Sequence, residues 1–435
     1  MEYTRTELLP GVFLSHLRSD KFKTACMSLT LLTQLRRESA AMNALLPYVL
    51  RRGTTRYGDM EALSRRMDEL YGTAIEPVVR RVGEIHCIGF YGSFPEEAYL
   101  PGGETLLPSA VGLMADMLLD PKTRGGLLLP QYVDSEKEKL LERIRSRIND
   151  KRSYAVTRCI EEMCCYEDFA VGRFGSEAEA ENINYKKLTR QYRSLLQTSP
   201  IEIFYCGRSS KKELVSCLRD VLSALPRGEI DYDIGTDVRM NALEEKPRAV
   251  TEELDVTQGK LVIGYRLGEC MEEAEPAPIF VFNCVFGGGT TSKLFMNVRE
   301  RLQLCYYASS MVSLQKGLLL VASGIEFDKF EVARDEIFRQ LDAIRQGDIS
   351  DEELNSAKSC VASDLRAYTD SQGELEGFYL TRALEGLEYG PMELAELVED
   401  VTKEDVMRIA NSLACDMIYF LKGSGQAEED EDAAE

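Results

Sequence analysis

The same order of strand and helix signals occurs twice in this chain, and that repetition limits the fold more than any other feature. Between the copies lies Pro226–Ala249, rich in Gly, Pro and charge, which reads as a linker. Before it, the patterns predict a strand over Lys21–Leu32, helices over Glu38–Leu50 and Met60–Leu70, and strands over Thr73–Val82 and Glu84–Tyr91. Helices near Leu107–Leu119 and Ser135–Asp150 follow, then further helix, a strand over Pro200–Gly207 and a helix over Lys211–Leu225. After it come a strand over Lys260–Leu267, helices over Ala277–Phe286 and Ser292–Leu302, and strands over Cys305–Leu314 and Gly317–Ile325. Long helices over Lys329–Arg345, Asp351–Tyr368 and Glu374–Leu387 lead to a closing strand, Asp416–Leu421. Strands in runs and helices in runs favour an α+β fold over an alternating parallel sheet. Gly53-Thr54-Thr55 and Gly289-Thr290-Thr291 form a faint internal echo, each followed by an Arg and then a Tyr. The expected division is a domain over 1–225, the linker 226–249, a domain over 250–423, and an acidic, disordered tail over 424–435.

Charge and histidine content remove whole classes of function. The 435 residues carry a formal net charge of -21, which argues against nucleic acid and anionic membranes as partners. No apolar run approaches the roughly 18 residues of a membrane span; the longest candidate is Ile279–Phe286. The only histidines are His16 and His86, and neither lies in a metal-ligand spacing. His86 sits in an alternating strand pattern and reads as a half-buried strand residue, and His16 as a strand-end residue. No Gly-x-Ser-x-Gly elbow frames a serine. The cysteines are scattered without a Cys-x-x-Cys and read as small buried hydrophobes. The N-terminus lacks the regions of a signal peptide, so a reducing cytoplasm is expected.

Phe286-Gly287-Gly288-Gly289-Thr290-Thr291-Ser292-Lys293-Leu294-Phe295 ends one predicted helix and starts another. Three glycines permit positive φ and close approach of a ligand or peptide. As a P-loop it fails, because Ser292 rather than Gly precedes Lys293 and no strand leads into it. As plain structure it is a Gly-rich turn with Thr290 or Thr291 as N-cap. It continues as Asn297-Val298-Arg299-Glu300-Arg301-Leu302-Gln303-Leu304-Cys305-Tyr306-Tyr307-Ala308. Over these twenty-odd residues the chain closely resembles the second domain of pitrilysin–insulinase family metallopeptidases, which include the mitochondrial processing peptidases. The resemblance implies two homologous, metallohydrolase-like α/β-sandwich domains, each an antiparallel sheet covered by helices, forming one half-clamshell. It also implies that Arg299 and Tyr306 reach the substrate backbone near the scissile bond, with Gly287, Gly288 and Gly289 presented to the peptide.

The active half of that family carries zinc on a His-x-x-Glu-His helix followed by Gly-Thr. Anchored on Gly53-Thr54, the resemblance puts Ala44 and Tyr48 at the two His positions and Pro47 at the Glu position. Both ligands and the general base are therefore absent, and no cofactor or metal is expected. Pro47 inside a helix removes an N–H and costs about 3 kcal/mol, so a kink or early helix end near Asn43–Leu46 is expected. Glu136 falls at the family's third ligand position, extending an inward stripe with Leu140, Ile144 and Ile148. The plainer reading puts it in the first turn of a helix capped by a Ser135-x-x-Glu138 box.

The resemblance therefore implies a family member without hydrolysis. The expectation is a non-catalytic subunit, not an enzyme by itself, that binds peptide and complements a zinc-bearing paralogue in a heterodimer. The other reading is a non-proteolytic scaffold. The chain resembles zinc-less proteins of Gram-positive bacteria end to end, which implies a link to elongation factor P modification.

Overall fold

The computed structural model describes residues 2–103, 105–268, 276–387 and 389–424. It begins with strands β1 (Glu2–Leu9), β2 (Val12–Arg18) and β3 (Thr24–Gln34), then helices α1 (Arg37–Leu50) and α2 (Met60–Glu69). Strands β4 (Ala74–Val82) and β5 (Ile85–Pro95) precede α3 (Leu107–Leu119), a hairpin of β6 (Thr123–Arg124) and β7 (Leu127–Leu128), and α4 (Pro130–Arg145). Next come α5 (Lys151–Met163), α6 (Glu177–Glu181), α7 (Tyr185–Thr198), β8 (Ile201–Gly207) and α8 (Lys211–Leu222). Strands β9 (Arg248–Leu254) and β10 (Gly259–Arg266) lead to α9 (Pro276–Asn283) and two π-helical segments, Cys284–Gly288 and Leu294–Arg301. Strands β11 (Cys305–Ser313) and β12 (Leu318–Ile325) follow. The chain closes with α10 (Phe330–Arg345), α11 (Asp351–Ala367), α12 (Gln372–Glu385), α13 (Pro391–Glu399), α14 (Lys403–Ser412) and β13 (Ala414–Gly423).

These elements form two compact units. The first takes the described residues up to Arg145, Val171–Thr236, and those from Thr369 to Leu387. The second takes Ser146–Ala170, Asp237–Tyr368 and the described residues from Tyr389 onward. Each unit thus receives one helix from the opposite half of the sequence, α12 in the first and α5 in the second.

In the first unit the sheet order is β1-β2-β8-β3-β5-β4, antiparallel except for the β2–β8 pair. Apolar residues of α1, α3, α7 and α8 cover one face. α12 covers the other through Leu375, Tyr379 and Leu380, with Tyr379 stacked on Tyr3 at 4.1 Å. Because both faces are covered, β8 is buried along its whole length, and its one charged residue, Glu202, is paired with Arg5.

In the second unit the order is β11-β12-β10-β13-β9, antiparallel except for β13–β9. This reproduces β4-β5-β3-β8-β2 strand for strand, so the duplicated order of signals corresponds to a duplicated topology. α5 lies on one face through Ala155, Cys159 and Met163. Gly264 lets it approach, since a Cβ there would stand 2.6 Å from Met163 Sδ. A buried ion cluster fixes the end of that segment. Arg266 pairs with Glu167 at 2.6 Å and Asp416 at 3.0 Å, and Lys316 pairs with Glu167 at 2.6 Å.

Several expectations change. Pro47 does not end α1, which runs to Leu50. Val49 and Leu50 are buried, and at about 1.5–3 kcal/mol each their burial offsets the proline cost of about 3 kcal/mol. α4 starts at Pro130, one turn earlier than expected, so Ser135 and Glu138 form no capping box. Residues 226–247 hold no regular element, but Arg227 ties them down by donating to the carbonyls of Pro10, Leu196 and Ser199. Strands β1 and β9 were not among the expected elements, and β2 was foreseen only through His16 as a strand-end residue, whereas the strand runs on to Arg18. The acidic end from Gly425 to Glu435 lies outside the described residues.

Candidate functional site: the Ala44–Tyr48–Glu136 group and an exposed Arg–Tyr pair

In the first unit, α1, which carries Ala44 and Tyr48, packs against α4, which carries Glu136. Ala44 is fully buried and has no donor atom. The Tyr48 ring is covered by Arg143, whose guanidinium carbon lies 4.6 Å from the ring centroid. Glu136 is buried, and its Oε1 is taken by Arg52 at 3.0 Å and Lys139 at 2.8 Å. Two cations thus hold the one carboxylate of the set, so these residues do not fit a zinc ion. Among the described residues no group of three or more His, Cys, Asp or Glu could hold a metal. Sequence reading missed Arg52 because it is 84 residues from its partner in the chain.

The histidines lie elsewhere. His16 is in β2, where its Nε2 meets the Ser209 carbonyl at 3.0 Å and its ring stacks on Tyr205 at 5.7 Å. His86 is in β5 and is fully rather than half buried, with neither ring nitrogen hydrogen-bonded. Burial lowers its pKa to about 4. The described cysteines are all free thiols.

In the second unit, the Gly-rich segment joins the two π-helical segments. None of Gly287, Gly288 or Gly289 uses the positive φ that glycine permits. Their small size is used internally instead. A Cβ on Gly287 would stand 2.7 Å from the Ser310 nitrogen and from Leu294 Cδ1, and one on Gly288 would stand 2.8 Å from Asn283 Nδ2. The cap is neither Thr290 nor Thr291: Phe295 N–H donates to Ser292 Oγ at 3.3 Å. Lys293 is buried and paired with Glu353 at 2.9 Å.

Arg299 and Tyr306 both face solvent. Arg299 lies on the last turn of the second π segment, over the Phe295 ring at 4.7 Å and 3.4 Å from Glu300. π-helical turns of this kind recur at functional sites. Tyr306 is 69% exposed and occupies the register shift between Cys305 and Tyr307 where β11 pairs β12. A bulge there turns its phenol away from the sheet. Gln303, just before it, adopts φ 50, a conformation uncommon outside glycine.

The family model for "Peptidase M16 inactive domain" matches residues 182–360. A Bacillus subtilis protein described as "Probable inactive metalloprotease YmfF" is 33% identical over 409 residues, covering 94% of this chain and 95% of that one. The chain belongs to the peptidase M16 family. This is the pitrilysin–insulinase family to which the Gly-rich and Arg–Tyr segments pointed, and the chain is an inactive homologue within it. A conserved protein from Enterococcus faecalis superposes with TM-score 0.87 at 26% identity, covering 97% of this chain and 98% of that one. A Pseudomonas fluorescens structure described as an M16 inactive domain gives TM-score 0.78 at 14% identity, with 98% and 99% covered, and shows the shared fold. No described helix is long and apolar enough to cross a membrane.

Proposed function

We propose that this chain is the non-catalytic subunit of a zinc peptidase. It binds peptide through Arg299, Tyr306 and the surface around Gly287–Gly289, and it complements a zinc-bearing paralogue. The observation that carries this reading is the contrast between two sets of residues. Those that the resemblance sets at metal-ligand positions are Ala44, Tyr48 and Glu136, the last already ion-paired with Arg52 and Lys139, whereas Arg299 and Tyr306 are exposed. A guanidinium and a phenol both donate to a peptide carbonyl as it gains negative charge. The partner's zinc would supply the activated water. The unpaired cysteines support a cytoplasmic setting.

The test is co-purification from the native host, followed by activity assays on the pair. A His-x-x-Glu-His protein should travel with this chain. Arg299→Ala and Tyr306→Phe should abolish most of its peptidase activity without loosening the complex. Unchanged activity in both variants would favour a scaffold instead, of the kind tied to elongation factor P modification. Stoichiometric zinc and EDTA-sensitive peptide cleavage by the purified chain alone would refute the reading.

A further inference from the structure

We propose that Cys284 and Cys360 of the second unit form a thiol-exchange site, at which Cys360 takes up a small disulfide and Cys284 displaces it to leave a Cys284–Cys360 bridge. Neither Arg299 nor Tyr306 takes part, so this inference does not rest on the reading above.

The two thiols come from different elements and open on one cavity. Cys284 begins the first π-helical segment and is buried. Cys360 lies on α11, which packs against that segment. Both line a cavity of 250 Å³, together with Gly288, Val361, Leu365 and Tyr368. The thiols interact directly with each other. Gly289 leaves room for the inner one, since a Cβ there would stand 3.2 Å from Cys284 Sγ. One helical turn before Cys360, Ser356 Oγ meets Thr291 Oγ1 at 3.2 Å, which holds α11 against the end of the Gly-rich segment.

The environments of the two thiols divide the work between them. A cysteine that serves only as a small hydrophobe is buried, and Cys360 is not. It is open to solutes, with its Sγ 4.0 Å from Asp364 Oδ2. Burial pushes the Cys284 thiol up to about 12, and the neighbouring Cys360 and Asp364 add to this. Cys284 therefore stays protonated and covered, and Cys360 reacts first. The Cys360 thiol gives up its proton, and its sulfur attacks one sulfur of the small disulfide. That S–S bond breaks, one half stays on Cys360 as a mixed disulfide, and the other half leaves and takes up a proton. Cys284 then loses its proton and attacks the Cys360 sulfur, and the second half leaves as a thiol. Two protein thiols are oxidised to one disulfide while the small disulfide is reduced to two thiols. The second attack is intramolecular, which offsets the weak acidity of Cys284. The bridge staples α11 to the segment that leads into Gly289. With one partner at the surface, it is of the readily reduced kind.

The test is incubation of the full chain with oxidised glutathione, followed by alkylation with N-ethylmaleimide and peptide mass mapping without reduction. A peptide pair joined at Cys284 and Cys360 is expected, and dithiothreitol should release it. Cys284→Ser should instead retain glutathione on Cys360, and Cys360→Ser should leave Cys284 reduced. Cys26 and Cys206 are fully buried, so they report on folding and should stay unmodified throughout. Three results would each overturn the proposal. One is a Cys360 that alkylates in wild type as fully as without glutathione. Another is a wild type that keeps the glutathione adduct on Cys360. The third is a bridge that forms only where Cys26 and Cys206 are oxidised as well, since it would then require unfolding.

Discussion

Acidification should unfold the first unit partly through one side chain, His86. It sits in β5 between Thr33 of β3 and Arg81 of β4, fully buried, with both ring nitrogens unpaired. Its pKa falls from 6.5 to about 4, chiefly because burial penalises the charged ring. The Arg81 charge adds to this; the Arg173 backbone opposes it, but without a hydrogen bond of normal geometry. The folded state therefore favours the neutral ring. Its contribution is complete above the unfolded pKa of 6.5 and is lost as pH falls from there towards 4. A drop of that size at 1.36 kcal/mol per unit amounts to about 3 kcal/mol.

The clean measurement compares wild type with His86→Leu across pH. Carboxylates common to both proteins cancel in the difference. The chain has no Trp, so circular dichroism should follow urea unfolding. At pH 7.5 His86→Leu should match or exceed wild type, because it removes two unpaired buried nitrogens. Between pH 7.5 and 4 the variant should gain about 3 kcal/mol relative to wild type. A difference that stays constant over this range would refute the argument, since it would mean that His86 titrates alike in both states.

Other perturbations test the remaining features. Glu167→Ala leaves Arg266 and Lys316 buried without their shared carboxylate and should cost about 3–5 kcal/mol in the second unit, read by thermal unfolding. A loss below about 1 kcal/mol would show that the cluster does not hold the segment. Gly287→Ala drives a methyl group into Ser310 and Leu294 and should cost about 1–3 kcal/mol, visible as a lower urea midpoint. The purified chain, dialysed against zinc and analysed by elemental mass spectrometry, should retain no stoichiometric metal, because Arg52 and Lys139 already occupy Glu136.

What could be read from the sequence depended on whether local pattern or long-range pairing decides. α3 has its expected bounds because a helix of 13 mostly apolar residues carries its own signal. β1 and β9 escaped notice because they are sheet edges. Their polar and charged residues, as in Glu2–Glu7 and Thr251–Glu253, discourage further pairing and blur the strand pattern. The Gly-rich and Arg–Tyr segments were visible as contiguous motifs. The π-helical winding was not, since no residue type marks it. The Arg266 cluster and the Arg52–Glu136 pair draw on residues far apart in the chain, so neither leaves a local trace.

The echo of Gly-Thr-Thr acquires a physical meaning once the two sheets are compared. Gly53-Thr54-Thr55 follows α1, between β3 and β4, while Gly289-Thr290-Thr291 lies between the two π-helical segments, between β10 and β11. These are equivalent slots, because β3 and β4 occupy the places in the first sheet that β10 and β11 occupy in the second. The slots have since diverged in use. In the first, Thr54 is fully buried, its hydroxyl accepts from Tyr57 N–H at 2.9 Å, and it bridges to Pro121. That turn locks the end of α1, where Tyr48 and Arg52 stand. In the second, Thr290 and Thr291 are exposed and the helical winding beyond them loosens to π geometry, ending on Arg299. One copy of the turn thus supports the end of α1, and the other leads into the segment that carries the exposed Arg299. On this view, exchanging Gly289–Thr291 for other small polar residues should disturb stability little, whereas Thr54→Val, which removes a buried hydroxyl's bond, should cost about 1–3 kcal/mol by urea unfolding.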